Sequence, residues 1–264
     1  MYEFNYQAPT SLADATQAIA GAEDGKLLAG GMTLVPTLKQ RLARPSDLID
    51  LSRIPDLKGI KVDGGTVTIG AMATHAEVGA SEAVKQAIPG LAWLAGNIGD
   101  PAVRHRGTLG GSISNNDPAA DYPAALLALG ATIYTTKRQL SAADFFVGMF
   151  ETALELDEIV TAVSFPIPEK SGYQKFRNPA SRYAVVGVFV AKTGAGVRVA
   201  VTGAGPAVFR VPAFEAALDK SFTASALNGL SVPADELNAD IHASAEYRAH
   251  LVTVFAKRAI EAIG

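Results

Sequence analysis

The chain has 264 residues, enough for two moderate domains, and 48% hydrophobic against 19% charged residues is ordinary globular chemistry. A formal net charge of -3 without a basic cluster sets aside a nucleic-acid partner. The absence of cysteine excludes a disulfide, a thiolate-ligated zinc and an iron–sulfur cluster held by this chain itself.

The N-terminus, MYEFNYQAPTSLADA, lacks the basic and apolar regions of a secretory signal. No apolar run approaches the ~20 residues of a spanning helix. A cytoplasmic chain without a membrane span is the expectation. Ser11 and Asp14 predict a capping box ahead of an Ala-rich helix that stops at Gly21. KLLAG (26–30) predicts a buried strand running into a tight turn. TLVPTLKQRLA follows as a helical pattern, with Pro36 tolerable near its first turn, and DLIDLS (47–52) as the next strand.

From Leu57 the texture changes. GIKVDGGTVTIGAM places two β-rich runs around Asp63-Gly64-Gly65, a hairpin signal. Thr74 and Glu77 predict a second capping box and helical structure over about 75–98. A stretch of Gly, Ser, Asn and Asp (106–121) precedes a helix at YPAALLALG and strands at ATIYT and EIVTAVSFP. Pro166 and Pro168 then mark a boundary. Three further strands (YQKF, YAVVGVFVAK, GVRVAVTGAG) and helices up to the C-terminus predict a second domain. The expected architecture is α+β, with residues 1–168 (subdomains about 1–56 and 57–168) followed by a domain of residues 169–264.

Two glycine-rich turns follow apolar segments, AGGMT (29–33) and TLGGS (108–112). Glycine lets the backbone approach a ligand closely, and consecutive free N–H groups suit a phosphate. Asn115, Asn116, Asp117 and Asp121 follow as partners for sugar hydroxyls or an amide-like ring edge. Each loop alone is more often a tight turn than a ligand loop, and the two aspartates serve equally as turn formers, with Asp121 as a helix cap. Neither loop matches the phosphate-loop pattern G-x-x-x-x-G-K-[ST] or G-x-G-x-x-G. Their pairing favours one extended phosphate-containing ligand between them.

LLAGGMTLVPTLKQRLARPSDLIDLSRIPDLKGI resembles the opening of the FAD-binding medium subunit of the molybdenum hydroxylases, the family of xanthine and aerobic carbon monoxide dehydrogenases. IGDPAVRHRGTLGGSISNNDPAADYPAALLALGA is similar to that family's second flavin motif, and FFVGMFETALELDEIVTAVSFP to its approach to the domain boundary. The resemblance implies a fold of the vanillyl-alcohol-oxidase (PCMH) type with a C-terminal domain carrying a three-stranded antiparallel sheet and helices. It implies non-covalent FAD, bound by Ala29, Gly30, Gly31, Met32 and Thr33 in one diphosphate loop and by Thr108, Leu109, Gly110, Gly111 and Ser112 in the other. Asp121 matches an acidic FAD contact, Asp117 lies in the same loop, and Ile98, Val160 and Lys175 fall at flavin-lining positions. Lys175 becomes the candidate for polarising the flavin, with a surface lysine at the end of a strand as the equal alternative. Met32, Thr33 and His105 depart from the family's commoner residues.

No catalytic residue and no metal site are expected on this chain. The molybdenum cofactor and the [2Fe-2S] clusters belong, by resemblance, to a large molybdenum subunit and a small iron–sulfur subunit, in a dimer of heterotrimers. Electrons would reach FAD from the clusters and leave to an external acceptor, with carbon monoxide dehydrogenase as the favoured label. A xanthine, aldehyde or aromatic-acid hydroxylase medium subunit, a self-contained flavin reductase or oxidase of the same fold, and a flavin-free assembly subunit are the other readings. Valine at Gly31 or Gly110 is expected to weaken FAD binding with the fold kept.

Overall fold

The computed structural model describes residues 1–263. A small parallel sheet forms first, with the strand Asp47–Asp50 between Asn5–Gln7 and Gly25–Leu28. The helix Leu12–Gly21 connects the outer two; Ser11 caps it by accepting from the Asp14 amide. Its Ala15 and Ile19 pack with Ile49, Leu51, Ile54 and Leu57. The strand expected over 26–30 stops at Leu28, because the chain turns sharply at Gly31 (φ 72°). The following helix runs only from Leu34 to Lys39, and Arg41 then takes a left-handed φ of 60° that no helix continues through.

A five-stranded antiparallel sheet comes next, in the order Ile60–Asp63, Thr66–Gly70, Val160–Pro166, Thr132–Thr135, Gln139–Ser141. The Asp63–Thr66 hairpin closes through Gly64 and Gly65 at φ 55° and 83°, a turn that needs two left-handed residues. The helical stretch expected over 75–98 is three helices, His75–Ala80, Glu82–Ala87 and Pro89–Gly96. Ser81 ends the first and caps the second, and Ile88 is pushed out of helical geometry (φ -141°) by the proline after it. These helices and Tyr122–Leu129 bury Val78, Leu91, Leu94 and Leu126 against Val67, Ile69, Val163 and Phe165 of the sheet.

The three expected C-terminal strands form Lys170–Arg177, Ala184–Thr193 and Gly196–Thr202, and the two-residue strand Phe209–Arg210 adds a fourth at the edge. Val188, Val190, Val199 and Val201 of this antiparallel sheet pack with Val252, Phe255 and Ala256 of the long helix Ala245–Glu261. The loop 117–120 is tied to the same sheet. Thr202 Oγ1 donates to the carbonyls of Pro118 (3.1 Å) and Ala120 (2.6 Å), and the Gly203 amide donates to Pro118 (2.8 Å). Among the described residues no helix is long and apolar enough to cross a membrane.

Candidate functional site

A cavity of about 610 Å³ opens between the parallel sheet, the five-stranded sheet and the loops that meet the C-terminal sheet. That is the size of a site for a small molecule or cofactor. Ala29, Gly30, Gly31, Met32 and Thr33 line one wall; Thr108, Gly110, Gly111 and Ser112 line another. Ile98, Asp117, Asp121 and Val160 also face it. The structure therefore gathers residues as far apart in sequence as Ala29 and Val160 around one space. Two candidates are elsewhere. Leu109 is fully buried in the central core, because it is the one residue of its segment that points away from the cavity. Lys175 does not line the cavity either: it lies behind the wall, with its Nζ 2.8 Å from the Asp121 carboxylate and its side chain 2% exposed.

The first glycine segment is an open turn. The amides of Gly30, Gly31, Met32 and Thr33 donate to no other described residue. Gly31 holds φ 72°, and Gly30 lies so close to the backbone of Arg106 and Gly107 that a Cβ would collide with it. Consecutive unpaired amides in a cavity wall make a nest for an anion.

The second segment is a helix, not a loop. Leu109–Asn115 is helical, with Thr108 as its N-cap. Its amides are occupied: Leu109 donates to Ala73 (3.0 Å), Gly110 to Ala71 (2.8 Å), Gly111 to the Thr108 hydroxyl (3.1 Å) and Ser112 to the Thr108 carbonyl (3.0 Å). A Cβ on Gly110 would stand 2.6 Å from the Ala71 Cβ, so this glycine serves close packing. What the segment offers the cavity is an uncovered helix surface and the Ser112 side chain. Asn116 ends the helix in a left-handed conformation (φ 42°) and donates from Nδ2 to Gly148 and Glu151, 2.8 Å each, away from the cavity.

The polar wall residues have distinct electrostatics. Burial pushes the Asp121 carboxyl above the usual carboxylate range, against the pull of the Lys175 charge and the Tyr173 hydroxyl bond. Asp121 occupies the N-cap position of Tyr122–Leu129 yet makes no side-chain cap bond. Burial, with a smaller effect of Arg104, lowers His75 to about 4, so the imidazole is neutral at physiological pH. Hydrogen bonds led by Arg138 hold Glu158 down at about 2, and its oxygens are engaged by Arg138, Thr135 and the Glu155 amide. Burial and the Asp117 and Asp121 carboxylates raise the Tyr183 hydroxyl; its ring stands at the cavity, 44% exposed, whereas Tyr173 is buried.

His75, Glu158 and Ser181 are wall residues that sequence reasoning did not single out. His75 follows the capping residue Thr74 directly, but nothing in that local pattern places its ring across from Gly107. Glu158 opens the strand-like run EIVTAVSFP and lines the wall with Ile159 and Val160, and its carboxylate is paired with Arg138, 20 positions away, a contact no local pattern shows.

The described residues fit a flavin dinucleotide. Four unpaired amides suit its diphosphate, and Asp121 Oδ2, which takes no bond from any described residue, suits a hydroxyl. The chain matches the FAD binding domain in molybdopterin dehydrogenase over residues 2–168 and the CO dehydrogenase flavoprotein C-terminal domain over residues 171–263. It is 37% identical to the nicotine 6-hydroxylase medium subunit of Paenarthrobacter nicotinovorans, over 98% of this chain and 96% of that one. It is 34% identical to the carbon monoxide dehydrogenase medium chain of Hydrogenophaga pseudoflava, again over 98% and 96%. The solved carbon monoxide dehydrogenase of that organism superposes with a TM-score of 0.87 at 35% identity, over 99% of this chain and 97% of that one. Quinoline 2-oxidoreductase of Pseudomonas putida 86 superposes with a TM-score of 0.89 at 30% identity, over 99% and 96%.

Proposed function

The chain belongs to the family of FAD-binding subunits of the molybdopterin dehydrogenases, the carbon monoxide and xanthine dehydrogenase type, and on that premise we propose that it relays electrons from iron–sulfur clusters on a partner chain, through FAD, to an external acceptor. It is an oxidoreductase subunit and the medium chain of a multisubunit molybdenum hydroxylase. The partners in this reading are a small [2Fe-2S] chain and a large molybdenum chain, assembled as a dimer of heterotrimers. FAD supplies the redox chemistry; the protein binds, orients and tunes it.

The observation that carries the site assignment is the run of unpaired amides from Gly30 to Thr33 in the cavity wall. These amides hold the diphosphate, with Ser112 opposite. Asp121 and Asp117 accept from hydroxyls of the nucleotide, and Ile98, Val160 and Tyr183 supply apolar and aromatic surface to the ring. Lys175 acts on the ring only across Asp121. Residues 1–168 form the cofactor domain and 169–264 the covering one. The proposed label is carbon monoxide dehydrogenase medium chain. The comparable identity to a nicotine 6-hydroxylase medium subunit favours, as second reading, a complex that hydroxylates an N-heteroaromatic ring.

The test is reconstitution. Protein purified with its partners should show flavin and iron–sulfur absorbance together, and denaturation should release all the flavin, since the bond is non-covalent. The FAD-loaded chain alone, given carbon monoxide or an N-heteroaromatic under anaerobic conditions, should keep its oxidised spectrum. Bleaching should need both partner chains; bleaching of the lone chain by substrate refutes the relay. Whichever substrate bleaches the complex decides between the two labels.

A further inference from the structure

Asp121 is held from behind by the C-terminal sheet. Its Oδ1 accepts from the Tyr173 hydroxyl at 2.5 Å and lies 2.8 Å from Lys175 Nζ. The lysine contact is close enough for an ion pair, but its angles fall outside hydrogen-bond geometry, and the ammonium makes no hydrogen bond among the described residues. Tyr173 and Lys175 stand two positions apart on the strand Lys170–Arg177, so both project from one face. Both charged or polar tips therefore converge on one oxygen of one carboxylate.

The surroundings are shaped to this arrangement. Gly187 lies opposite Lys175 in the strand pairing, in the middle of a buried strand where glycine is otherwise a weak choice. A Cβ there would run into the Tyr173 hydroxyl. The missing side chain is thus the seat of the tyrosine tip. Thr202 and Gly203 fix the carbonyls of Pro118 and Ala120 just ahead of Asp121, so the backbone of the carboxylate is pinned to the same sheet. Oδ2 takes no hydrogen bond from a described residue and keeps contact with the cavity.

We propose that Tyr173 and Lys175 are positioning residues which, by occupying Oδ1 together, hold Asp121 so that it presents Oδ2 to the cavity as an acceptor for a hydroxyl of the bound flavin nucleotide. The C-terminal sheet then does more than cover the site: it sets the charge and aim of a wall residue that belongs to the cofactor domain. Burial favours the neutral form of this carboxyl, and these two side chains supply the pairing and the hydrogen bond that oppose it. The other ionisable groups near Asp121 are Arg177 on the same strand, Tyr122 on the helix it precedes, and Asp117 and Tyr183 on the adjoining loops. Arg177 adds attraction to the Asp121 carboxylate, and Asp117 acts on the Tyr183 hydroxyl.

This inference rests on the FAD reading, and the experiment separates the two. The complex, purified with its partner chains and stripped of flavin, is titrated with FAD between pH 5 and 8 as wild type, Tyr173→Phe and Lys175→Met. Tyr173→Phe keeps the buried ring and removes only the hydroxyl, so it stays informative if the lysine variant does not fold. Each variant should bind FAD roughly tenfold more weakly at neutral pH, the scale of one hydrogen bond to a charged group. In Lys175→Met the carboxyl is held in its neutral form to higher pH, so the rise of FAD affinity with pH should be displaced to higher pH than in wild type. Asp121→Asn should bind weakly without that slope. ADP and FMN as half-ligands show whether the hydroxyl is on the ribose or the ribityl chain. Wild type that binds no FAD overturns the function proposed above and this inference with it. Wild type that binds, with both variants matching its affinity at every pH, overturns the positioning role alone.

Discussion

The two glycine-rich segments look alike in sequence and do opposite things. Residues 29–33 leave the amides of Gly30 to Thr33 without internal partners, whereas residues 109–112 have each amide committed to Ala73, Ala71 or Thr108. In the first, glycine supplies a left-handed turn and free donors. In the second, it removes volume so that a helix can lie against Ala71 and present a bare surface. A glycine pair next to an apolar run therefore signals a missing Cβ; whether that absence serves a ligand or a packing contact is decided by where the amides point.

The comparison breaks first at Gly110. Gly110→Val would set a branched side chain where even the Cβ is 2.6 Å from the Ala71 Cβ and 2.9 Å from its carbonyl oxygen. Overpacking of that kind costs about 3 kcal/mol or more, because backbone has to give way. The expectation of weaker binding with an intact fold is thus replaced at this position. Thermal melting of the flavin-free protein should show the loss in full, and a melting curve unchanged from wild type would remove the packing role.

Acid tests the same region by a different route. The His75 amide donates to Gly107 (2.9 Å), and its ring fills the space a side chain at Gly107 would need. Its folded value of about 4 lies below the unfolded 6.5, so its contribution to stability is complete above the unfolded value. That contribution is lost as pH falls from 6.5 through 4, and over the whole window it reaches about 3 kcal/mol. His75→Phe should flatten the decline in melting temperature across this range. A variant with the wild-type slope would show that another group carries it.

These two effects also mark how far the sequence could be read. The Thr74–Glu77 capping box and the Asp63–Thr66 hairpin were legible because their causes are local: a side chain three residues from the amide it meets, and two left-handed glycines. Gathering Gly31, Gly111 and Asp121 around one cavity was legible through motif resemblance, which carries long-range information. The helix at 109–115 was not, since a Gly-Gly pair disfavours helix and the bonds that secure it come from Ala71 and Ala73. Nor was the place of Lys175. Alternation along a strand says that Tyr173 and Lys175 share a face, not that the face meets Asp121 rather than a flavin.

At Gly31 the expected effect is smaller on the fold and larger on the ligand. Gly31→Ala forces a side chain into φ 72° with the Val35 Cγ2 at 3.0 Å, a strain of about 1–2 kcal/mol. The turn relieves that strain by moving its amides, so FAD binding should weaken by at least the same amount, roughly tenfold. Flavin fluorescence titration reads the binding and melting of the flavin-free protein reads the fold. Wild-type affinity in a variant that melts early would mean that the nest is not where the diphosphate sits.

The smallest effect asks whether the second segment can be pushed towards the first. Thr108→Ala deletes the hydroxyl that accepts from the Gly111 amide at 3.1 Å, a cap worth about 1 kcal/mol. The flavin-free protein should lose that amount. The deletion also frees one amide at the cavity wall, facing the space left by two glycines, and an anion there would take up the bond that threonine gave up. With FAD bound, the loss should therefore shrink, so that the melting gap between variant and wild type narrows on adding cofactor. A gap that stays the same in both states would show that the Gly111 amide never meets the ligand, leaving the 30–33 turn as the sole backbone donor of the pair.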